Sequence, residues 1–357
     1  MRRAVVEPLR GVRIEEAPVP TPEGDLVLVR SVLVGICGSD THALAGHHPF
    51  LTTAYAPGHE AVGVVCALGP DATGVSVGQR VILKPNVACG ECMNCRASRT
   101  NACESLTWIG CDPSRHWSGA MAEMFLAPAA NLYPVPDDVD DRTAVLVECL
   151  ATPVHAARIS GDLVDTRVAV LGAGTIGVLC AVAARAAGAS RIVVTDLDAG
   201  KRDRALRIGV DGAVDASQDA VEDRVLAALG GRADVVMDCV ANERSFRQAV
   251  SILRRAGTLD VVGVPARDAV LPMPVIQDYE IRVQGSAAYT EVDIEASIAI
   301  ARAGGIPTDE LIAATFPLER AADAFAAGAR ESSGKVVISA EALRAPLGAA
   351  YGSGSPS

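Results

Sequence analysis

Aromatic and basic residues are in short supply in this 357-residue chain, and both shortages limit what it can be. Only 3% of the residues are aromatic although 50% are hydrophobic, so a core must be built from valine, alanine, leucine and isoleucine. The formal net charge of -11 disfavours nucleic-acid partners, because they bind basic surfaces. Charges interrupt every long apolar segment, and the start, MRRAVVEPLRGVRIEE, has no apolar signal-peptide run. We therefore expect a cytoplasmic protein that does not bind membranes.

The order of apolar segments predicts an α/β protein, and the length favours about two domains. Up to about Pro136, runs such as DLVLVRSVLVGI, EAVGVVCAL and QRVILKP predict strands separated by turns. From about Val168, the strands VAVLGAG, RIVVTD, ADVVMDCV and TLDVVGV alternate with the helices TIGVLCAVAARAAGA, KRDRALRIGV and SFRQAVSILRRAG. Continuous apolar strands that alternate with helices indicate a parallel sheet covered on both faces.

The segment GAGTIG places Gly172, Gly174 and Gly177 as G-x-G-x-x-G between a predicted strand and a predicted helix. In that context it indicates a dinucleotide site, with the pyrophosphate at the N-terminus of the helix. Asp196 ends the next strand, where a carboxylate binds ribose hydroxyls and repels a 2′-phosphate. We therefore expect NAD(H) rather than NADP, although Lys201 and Arg202 lie close enough in sequence to soften this preference. A parallel-sheet domain without a nucleotide is the alternative.

Four cysteines lie within the fifteen residues CGECMNCRASRTNAC. Their spacing, C-x2-C-x2-C-x7-C, fits a zinc site, a disulfide knot or a redox-active C-x-x-C pair. A reducing compartment favours metal binding or catalysis over disulfides. The cysteines concerned are Cys89, Cys92, Cys95 and Cys103.

Two shorter segments upstream also combine metal-binding residue types. A thiolate, an imidazole and a carboxylate can hold one zinc ion and leave a coordination position open. Taken singly, a cysteine here is more often a small buried hydrophobe, and a histidine is more often a hydrogen-bonding residue. The segments are GICGSDTH, with Cys37, Ser39, Asp40 and His42, and APGHEAVG, with His59 and Glu60.

In combination, CGSDTH, PGHE, C-x2-C-x2-C-x7-C, GAGTIG and the closing GKVV resemble the zinc-containing medium-chain dehydrogenase/reductases, the alcohol, sorbitol and threonine dehydrogenase group, over about Val5 to Ile338. The resemblance implies an active site between a GroES-like, mostly-β catalytic domain and a Rossmann domain. The expected boundaries are a catalytic domain at 1–150 with a structural-zinc lobe at about 86–106, a Rossmann domain at 151–285, a return to the catalytic domain at 286–345, and a disordered tail at 346–357.

The resemblance also implies two zinc ions per chain. A structural ion would be held by the four clustered cysteines, and a catalytic ion by Cys37, His59 and Glu148, with Glu60 as a neighbour or an exchangeable ligand. Thr152 matches a residue that packs on the nicotinamide ring. The cofactor contacts that we expect besides the three glycines are Thr175, Ile176, Asp196, Arg202, Val240 and Val262.

Hydride removal from an alcohol requires that its oxygen first lose a proton, and zinc lowers the pKa of a bound oxygen toward about 7. By resemblance, Ser39 accepts that proton and His42 passes it to solvent, which suits a group that titrates near neutral pH. An exposed loop histidine without this role is the alternative for His42. Asp40 is expected to orient groups around the site.

Glu148 and Cys149 are adjacent candidates for the third zinc ligand. A thiolate is the softer ligand, but in the resembling family the ligand lies four residues before Thr152 and seven before His155, and both counts give Glu148. We therefore expect Glu148 to face the metal, directly or through water, and Cys149 to point away.

A glutamate at this position points to a polyol, sugar, cyclitol or hydroxy amino acid as the substrate, interconverted with its ketone. The alternatives are a simple alcohol dehydrogenase and a non-catalytic zinc- and nucleotide-binding redox sensor. The zinc-free quinone and enoyl reductases lack the candidate ligands. By resemblance we also expect a homotetramer, or else a dimer, with TLDVVGV as an edge strand at the subunit contact.

Overall fold

A computed structural model describes residues 1–112, 116–265, 267–330 and 334–340, which fold around two large sheets and two small two-stranded sheets. The strands in these residues are β1 (Arg2–Glu7), β2 (Gly11–Glu16), β3 (Leu26–Gly35), β4 (Glu60–Leu68), β5 (Arg80–Leu83), β6 (Asn86–Val87), β7 (Thr107–Trp108), β8 (Met124–Pro128), β9 (Leu132–Pro134), β10 (Arg167–Leu171), β11 (Arg191–Asp196), β12 (Gly212–Asp215), β13 (Ala233–Asp238), β14 (Leu253–Val261), β15 (Arg282–Gly285), β16 (Ile312–Pro317) and β17 (Lys335–Ser339).

Helices cover both faces of one sheet and connect it to the other. The α-helices are α1 (Gly38–Leu44), α2 (Met93–Arg96), α3 (Asp141–Ala144), α4 (Val147–Ser160), α5 (Thr175–Ala186), α6 (Ala199–Arg207), α7 (Val221–Leu229), α8 (Glu243–Ile252), α9 (Met273–Asp278), α10 (Glu291–Arg302), α11 (Thr308–Leu311) and α12 (Ala321–Gly328). Short 3-10 helices lie at Thr100–Ala102, Ala129–Asn131 and Leu318–Arg320. Within the described residues, no helix combines the length and apolarity that crossing a membrane requires.

The strands β10 to β15 form a six-stranded parallel sheet in the order β12-β11-β10-β13-β14-β15. The central residues Val168–Leu171 and Ile192–Val194 are fully buried, as strands covered on both faces require. The strand order reverses between β10 and β13, and ligands of such sheets bind at the carboxyl ends of the strands at this point. The parallel sheet predicted from the alternating apolar strands and helices is confirmed.

The other large sheet takes strands from both ends of the chain. Its order is β16-β17-β3-β4-β5-β9, with β8 also paired to β3. The strand β3 runs antiparallel to β4, β8 and β17, so β17 packs beside β3 and the parallel sheet lies between these two strands in sequence. The last residues of the expected return, 341–345, and the tail at 346–357 lie outside the described residues.

Two local expectations are wrong. The helix predicted over SFRQAVSILRRAG ends at Ile252, because Leu253 already pairs with Ala233 of β13 and Ala256 adopts a positive φ of 55°. The segment TLDVVGV is not an edge strand. It lies in β14, which β15 covers on its outer side, and the short polar run RVQG of β15 gave no strand signal in the sequence.

The helices α4 and α10 are joined by a buried charged group. Asp293, fully buried in the first turn of α10, lies 2.8 Å through Oδ2 from His155 Nδ1 and 2.6 Å through Oδ1 from Arg158 Nε. Its Oδ2 also accepts hydrogen bonds from Thr290 N and Oγ1, both at 2.8 Å. Burial opposes ionisation of Asp293, but the bonds from His155, Arg158 and Thr290 outweigh it and lower its pKa. The group fixes α10 against the helix that carries Glu148.

We predict that Asp293→Ala lowers the free energy of unfolding by about 1–3 kcal/mol, because it leaves the buried hydrogen-bond donors of His155 and Thr290 without an acceptor. The matched control is Asp138→Ala, which removes a carboxylate 3.3 Å from the Arg302 guanidinium in a pair that is more than half exposed and is expected to cost less than about 1 kcal/mol. Thermal melting followed by circular dichroism measures both. Equal melting temperatures for the two variants would contradict the role given to Asp293.

Candidate metal centre and cofactor cleft

The first candidate ligand, Cys37, lies where β3 passes into α1. Cys37 is the N-cap residue of α1, and its backbone N–H donates to Asp40 Oδ2 at 3.1 Å. Asp40 is fully buried and accepts a second hydrogen bond at Oδ1 from Tyr55 Oη at 3.0 Å. Burial raises the pKa of Asp40, although His59, 3.9 Å away at Nδ1, opposes this. Asp40 therefore bonds to both Cys37 and Tyr55, and its role in orienting the site stays a prediction.

His59 fits a metal ligand because its imidazole is buried with an unpaired nitrogen. Its Nδ1 atom is buried and has no hydrogen-bond partner. The preceding Gly58 has a φ of 109°, and a Cβ there would lie 2.3 Å from Met121 N, so the turn that delivers His59 requires glycine. Ligand atoms of Cys37, His59 and Glu60 all lie within 4.8 Å of one another. A thiol, an imidazole and a carboxylate at this separation suit one zinc ion.

Glu60 has a second partner that sequence reasoning missed. Lys335, the first residue of β17, donates from Nζ to both carboxylate oxygens of Glu60 at 2.7 Å, and both side chains are buried. Burial opposes the charge on Glu60, but Lys335 and His59 outweigh it and lower the pKa of the carboxyl. The sequence motif GKVV contains this lysine, but nothing in the sequence indicated that the lysine would pair with Glu60.

Glu148 lies in the first turn of α4 and is 6% exposed. Its Oε1 accepts a hydrogen bond from Tyr289 Oη at 2.7 Å, and burial raises its pKa to about 7. Glu148, Glu60 and Cys149 have ligand atoms within 4.8 Å of one another. The carboxylate of Glu60 therefore belongs both to this group and to the group with Cys37 and His59.

Cys149 lies near Glu60, as Glu148 does, and the expectation that it points away from the metal stays a prediction. The side chains of successive helix residues point about 100° apart rather than in opposite directions. A carboxylate that lies between the side chains of Glu148 and Cys149 can therefore approach both. Glu60 occupies that place. Burial raises the pKa of the Cys149 thiol well above its ordinary value, and the negative charge of Glu60 raises it further.

Cys111 also lies at the site and was not identified from the sequence. Asp40, His59 and Cys111 form another group whose ligand atoms lie within 4.8 Å of one another. Burial raises the pKa of Cys111, and His59 opposes this rise. An isolated cysteine after a two-residue strand, β7, carries no signal that would have marked it.

Ser39 and His42 lie about one turn apart on α1. The Ser39 Oγ atom is buried and has no hydrogen-bond partner, whereas His42 is exposed. A proton path from a buried site to solvent needs a group at each end. The buried hydroxyl of Ser39 and the exposed imidazole of His42 can serve as these two groups.

The four clustered cysteines converge. Their Sγ atoms lie within 4.8 Å of one another, with 3.5 Å between Cys92 and Cys95 and 4.0 Å between Cys89 and Cys95. Backbone N–H groups point at the sulfurs, as from Cys92 to Cys89 at 3.4 Å and from Cys89 to Cys103 at 3.3 Å. Such bonds lower the pKa of Cys92 to about 6. The chain's ten cysteines are all free thiols, and four converging sulfurs suit a closed tetrahedral zinc site.

The glycine motif lies between β10 and α5, at the reversal point of the parallel sheet. Gly172 follows β10 with a φ of 91°, and a Cβ on Gly177 would lie 1.8 Å from Gly172 O, so the turn and the close packing both require glycine. Gly174 caps α5, and a Cβ there would meet nothing within 4 Å. Thr175 and Ile176 form the first turn of α5.

A cavity of about 230 Å³ opens beside this turn, and Gly172, Asp196 and Val240 line it. Asp196 accepts hydrogen bonds from Ala173 N at 2.8 Å and Asp198 N at 2.9 Å, which fix its carboxylate at the glycine turn. Arg244 and Asn242 also line the cavity, and the sequence reasoning missed both.

The other expected cofactor residues differ in position. Thr152 lies half-buried one turn after Glu148 on α4. Arg202 donates to the carbonyls of Asp196 at 2.9 Å and Leu197 at 2.8 Å, and to Asp215 Oδ2 at 3.0 Å, so its guanidinium is engaged within the protein. Val262 is buried in the core and does not line the cavity beside the glycine turn.

Comparisons with known proteins agree with this geometry. The profile of the alcohol dehydrogenase GroES-like domain matches residues 23–137, and that of the zinc-binding dehydrogenase matches residues 175–303. The chain is 30% identical over 334 residues to a sorbitol dehydrogenase of Bacillus subtilis (strain 168), which covers 91% of this chain and 92% of that protein.

Two further relatives match over nearly their full length. An L-threonine 3-dehydrogenase of Deinococcus deserti is 30% identical over 333 residues, 92% of this chain and 95% of that protein. A crystal structure from Sinorhizobium meliloti 1021, bound to NADP, superposes with a TM-score of 0.87 at 29% identity and covers 95% of this chain and 98% of its own. The expected GroES-like and Rossmann parts are therefore confirmed, and the chain belongs to the zinc-containing medium-chain dehydrogenase/reductases, as a nicotinamide-dependent oxidoreductase.

Proposed function

We propose that the protein is a cytoplasmic, NAD-dependent dehydrogenase that interconverts a polyol, sugar, cyclitol or hydroxy amino acid with its ketone. The observation that carries this proposal is the convergence of Cys37 with the buried His59 and Glu60, with Glu148 beside them on the helix that also carries Thr152. The carboxylates at this site, together with the sorbitol and threonine dehydrogenase relatives, support a substrate that has more than one polar group.

In this proposal Cys37, His59 and Glu148 would hold the catalytic zinc, and Glu60, which pairs with Lys335, lies beside it or exchanges as a ligand. When bound, the metal supplies a positive charge that lowers the pKa of a substrate hydroxyl. Ser39 accepts the hydroxyl proton as it passes its own proton on toward His42, which releases a proton to solvent. The buried, unpaired Ser39 Oγ and the exposed His42 support these two roles. The second, structural zinc is held by Cys89, Cys92, Cys95 and Cys103.

We also infer that two or four copies associate through the six-stranded sheet. The strand β15 forms one edge of this sheet among the described residues, and Val283 on it is 39% exposed. An exposed strand edge invites pairing with a second copy. In this proposal the contact lies one strand further out than TLDVVGV.

The function is tested by assaying polyols, cyclitols, simple secondary alcohols and L-threonine with NAD and with NADP. We expect turnover on a substrate with several polar groups and a kcat/KM that favours NAD, because the fixed Asp196 carboxylate repels a 2′-phosphate. Asp196→Ala should reduce this preference. A protein that prefers simple alcohols would be an alcohol dehydrogenase, and one that binds zinc and nucleotide without turnover would be a sensor. Equal turnover with NADP in the unmodified protein would contradict the role of Asp196.

Replacing Cys92 with Ser should remove one zinc ion per chain and lower the melting temperature, because a closed thiolate site contributes directly to folding. Metal analysis and thermal melting measure the two effects. The control is Cys66→Ser, which changes a half-buried thiol of β4 outside every metal-ligand group of the described residues. A disulfide among the four clustered cysteines in protein purified under reducing conditions would refute the assignment.

Glu148→Ala should abolish turnover and weaken the catalytic zinc, whereas Cys149→Ala should keep both metal ions and most activity. The two residues are adjacent and both buried, but the spacing to Thr152 and His155 matches Glu148 to the ligand position of the resembling family, and Tyr289 holds the Glu148 carboxylate at 2.7 Å. Metal content and kcat of the two variants decide between them. If only Cys149→Ala loses the metal, the thiol is the ligand, and the argument for a polyol-type site fails with it.

A further inference from the structure

Tyr289 contacts a candidate zinc ligand, although no sequence motif marks it. Its side chain is fully buried, and its hydroxyl donates to Glu148 Oε1 at 2.7 Å. The two residues are 141 positions apart in the chain. Glu148 is itself buried, and a buried carboxylate oxygen requires a hydrogen-bond donor. The bond also fixes the rotation of the carboxylate, and so decides which oxygen is available to a metal.

The backbone around Tyr289 is held in a costly conformation. Ala288 has a φ of 53°, which costs a residue with a side chain on the order of 1–3 kcal/mol and persists only where the surroundings enforce it. Two amides enforce it here, since Asn86 Nδ2 donates to Tyr289 O at 3.0 Å and Asn101 Nδ2 donates to Ala287 O at 2.9 Å. Asn86 lies in β6, just before the four clustered cysteines, and Asn101 lies among them.

The segment after Tyr289 is tied to the helix that carries Glu148. Thr290 caps α10 and bonds Asp293, whose carboxylate contacts His155 and Arg158 on α4. His155 lies seven residues after Glu148, about two turns along the same helix. The Tyr289 hydroxyl and the Glu148 carboxylate therefore belong to two elements that a buried charged group holds in register.

We propose that Tyr289 is a positioning residue that orients the Glu148 carboxylate toward the catalytic zinc, an inference that rests on the proposed role of Glu148 as a ligand. Hydrogen-bond partners of metal ligands fix ligand orientation, and their removal typically lowers metal affinity or activity by about 10–100-fold. Tyr289 acts through Glu148 and does not itself hold the metal.

The test compares Tyr289→Phe with Tyr279→Phe. Both changes remove one hydroxyl and keep the ring, but Tyr279 lies under the Arg255 guanidinium at 4.2 Å. Each holoenzyme is dialysed against graded concentrations of a zinc chelator, and the zinc that remains per chain is counted. For Tyr289→Phe we expect one zinc ion to leave at about 10-fold or more lower chelator concentration, with the second retained and kcat reduced. Tyr279→Phe should match the unmodified protein.

The double variant separates this inference from the proposed function. If Tyr289 acts through Glu148, Tyr289→Phe has no further effect on metal affinity once Glu148→Gln is present. If Glu148→Gln leaves zinc binding unchanged, the proposed role of Glu148 is wrong. If Glu148→Gln weakens zinc and Tyr289→Phe does not, or if their effects add, the positioning role of Tyr289 is wrong.

A second variant covers the case in which Tyr289→Phe does not fold. Asn86→Ala removes the donor to the Tyr289 carbonyl and leaves the tyrosine in place. It should weaken the same zinc ion by a smaller factor, and by none in the Glu148→Gln background. Unchanged zinc release in Asn86→Ala would then overturn the proposal.

Discussion

Two glutamates buried side by side are the constraint on which the site depends. Glu60 and Glu148 are 1% and 6% exposed, and neither charge can persist in the interior without a partner. The Lys335 ammonium donates hydrogen bonds to Glu60, and the Tyr289 hydroxyl donates a hydrogen bond to Glu148. Both partners come from the last quarter of the chain, so the site is incomplete until the chain has formed the parallel sheet and returned.

The helix α4 connects Glu148 to the rest of the fold. Its first turn presents Glu148 and Cys149 to the site, and its later turns present His155 and Arg158 to the buried Asp293. The core around α4 joins residues of both large sheets, with Ile82 from one and Val170 from the other. The core that packs around α4 therefore connects the candidate metal group with the parallel sheet.

The sequence predicted the parts of the site that are encoded within a few neighbouring residues. The turn at Gly172 and the convergence of the four clustered cysteines follow from local spacing, and the structure forms both. Contact partners that lie far apart in the sequence were not predicted, because the spacing of residues within a motif carries no information about them. Lys335 lies 275 residues from Glu60, and Cys111 and Tyr289 stand in segments without a motif. The edge strand β15 was not predicted either, because its four residues of mixed polarity are too few to show a hydrophobic periodicity.

The lobe of clustered cysteines reaches the catalytic region through polar contacts. The segment from Cys89 to Cys103 has almost no apolar side chains to bury, so packing alone cannot fix it. Instead Thr100 donates to Glu291 at 2.8 Å, Glu291 also pairs with Lys84 at 3.0 Å, and Asn101 binds the Ala287 carbonyl. These contacts end on the residues that flank Tyr289. A closed metal site in the lobe would therefore hold in place the segment that orients Glu148, and this gives a structural ion a physical connection to a reaction that it does not touch.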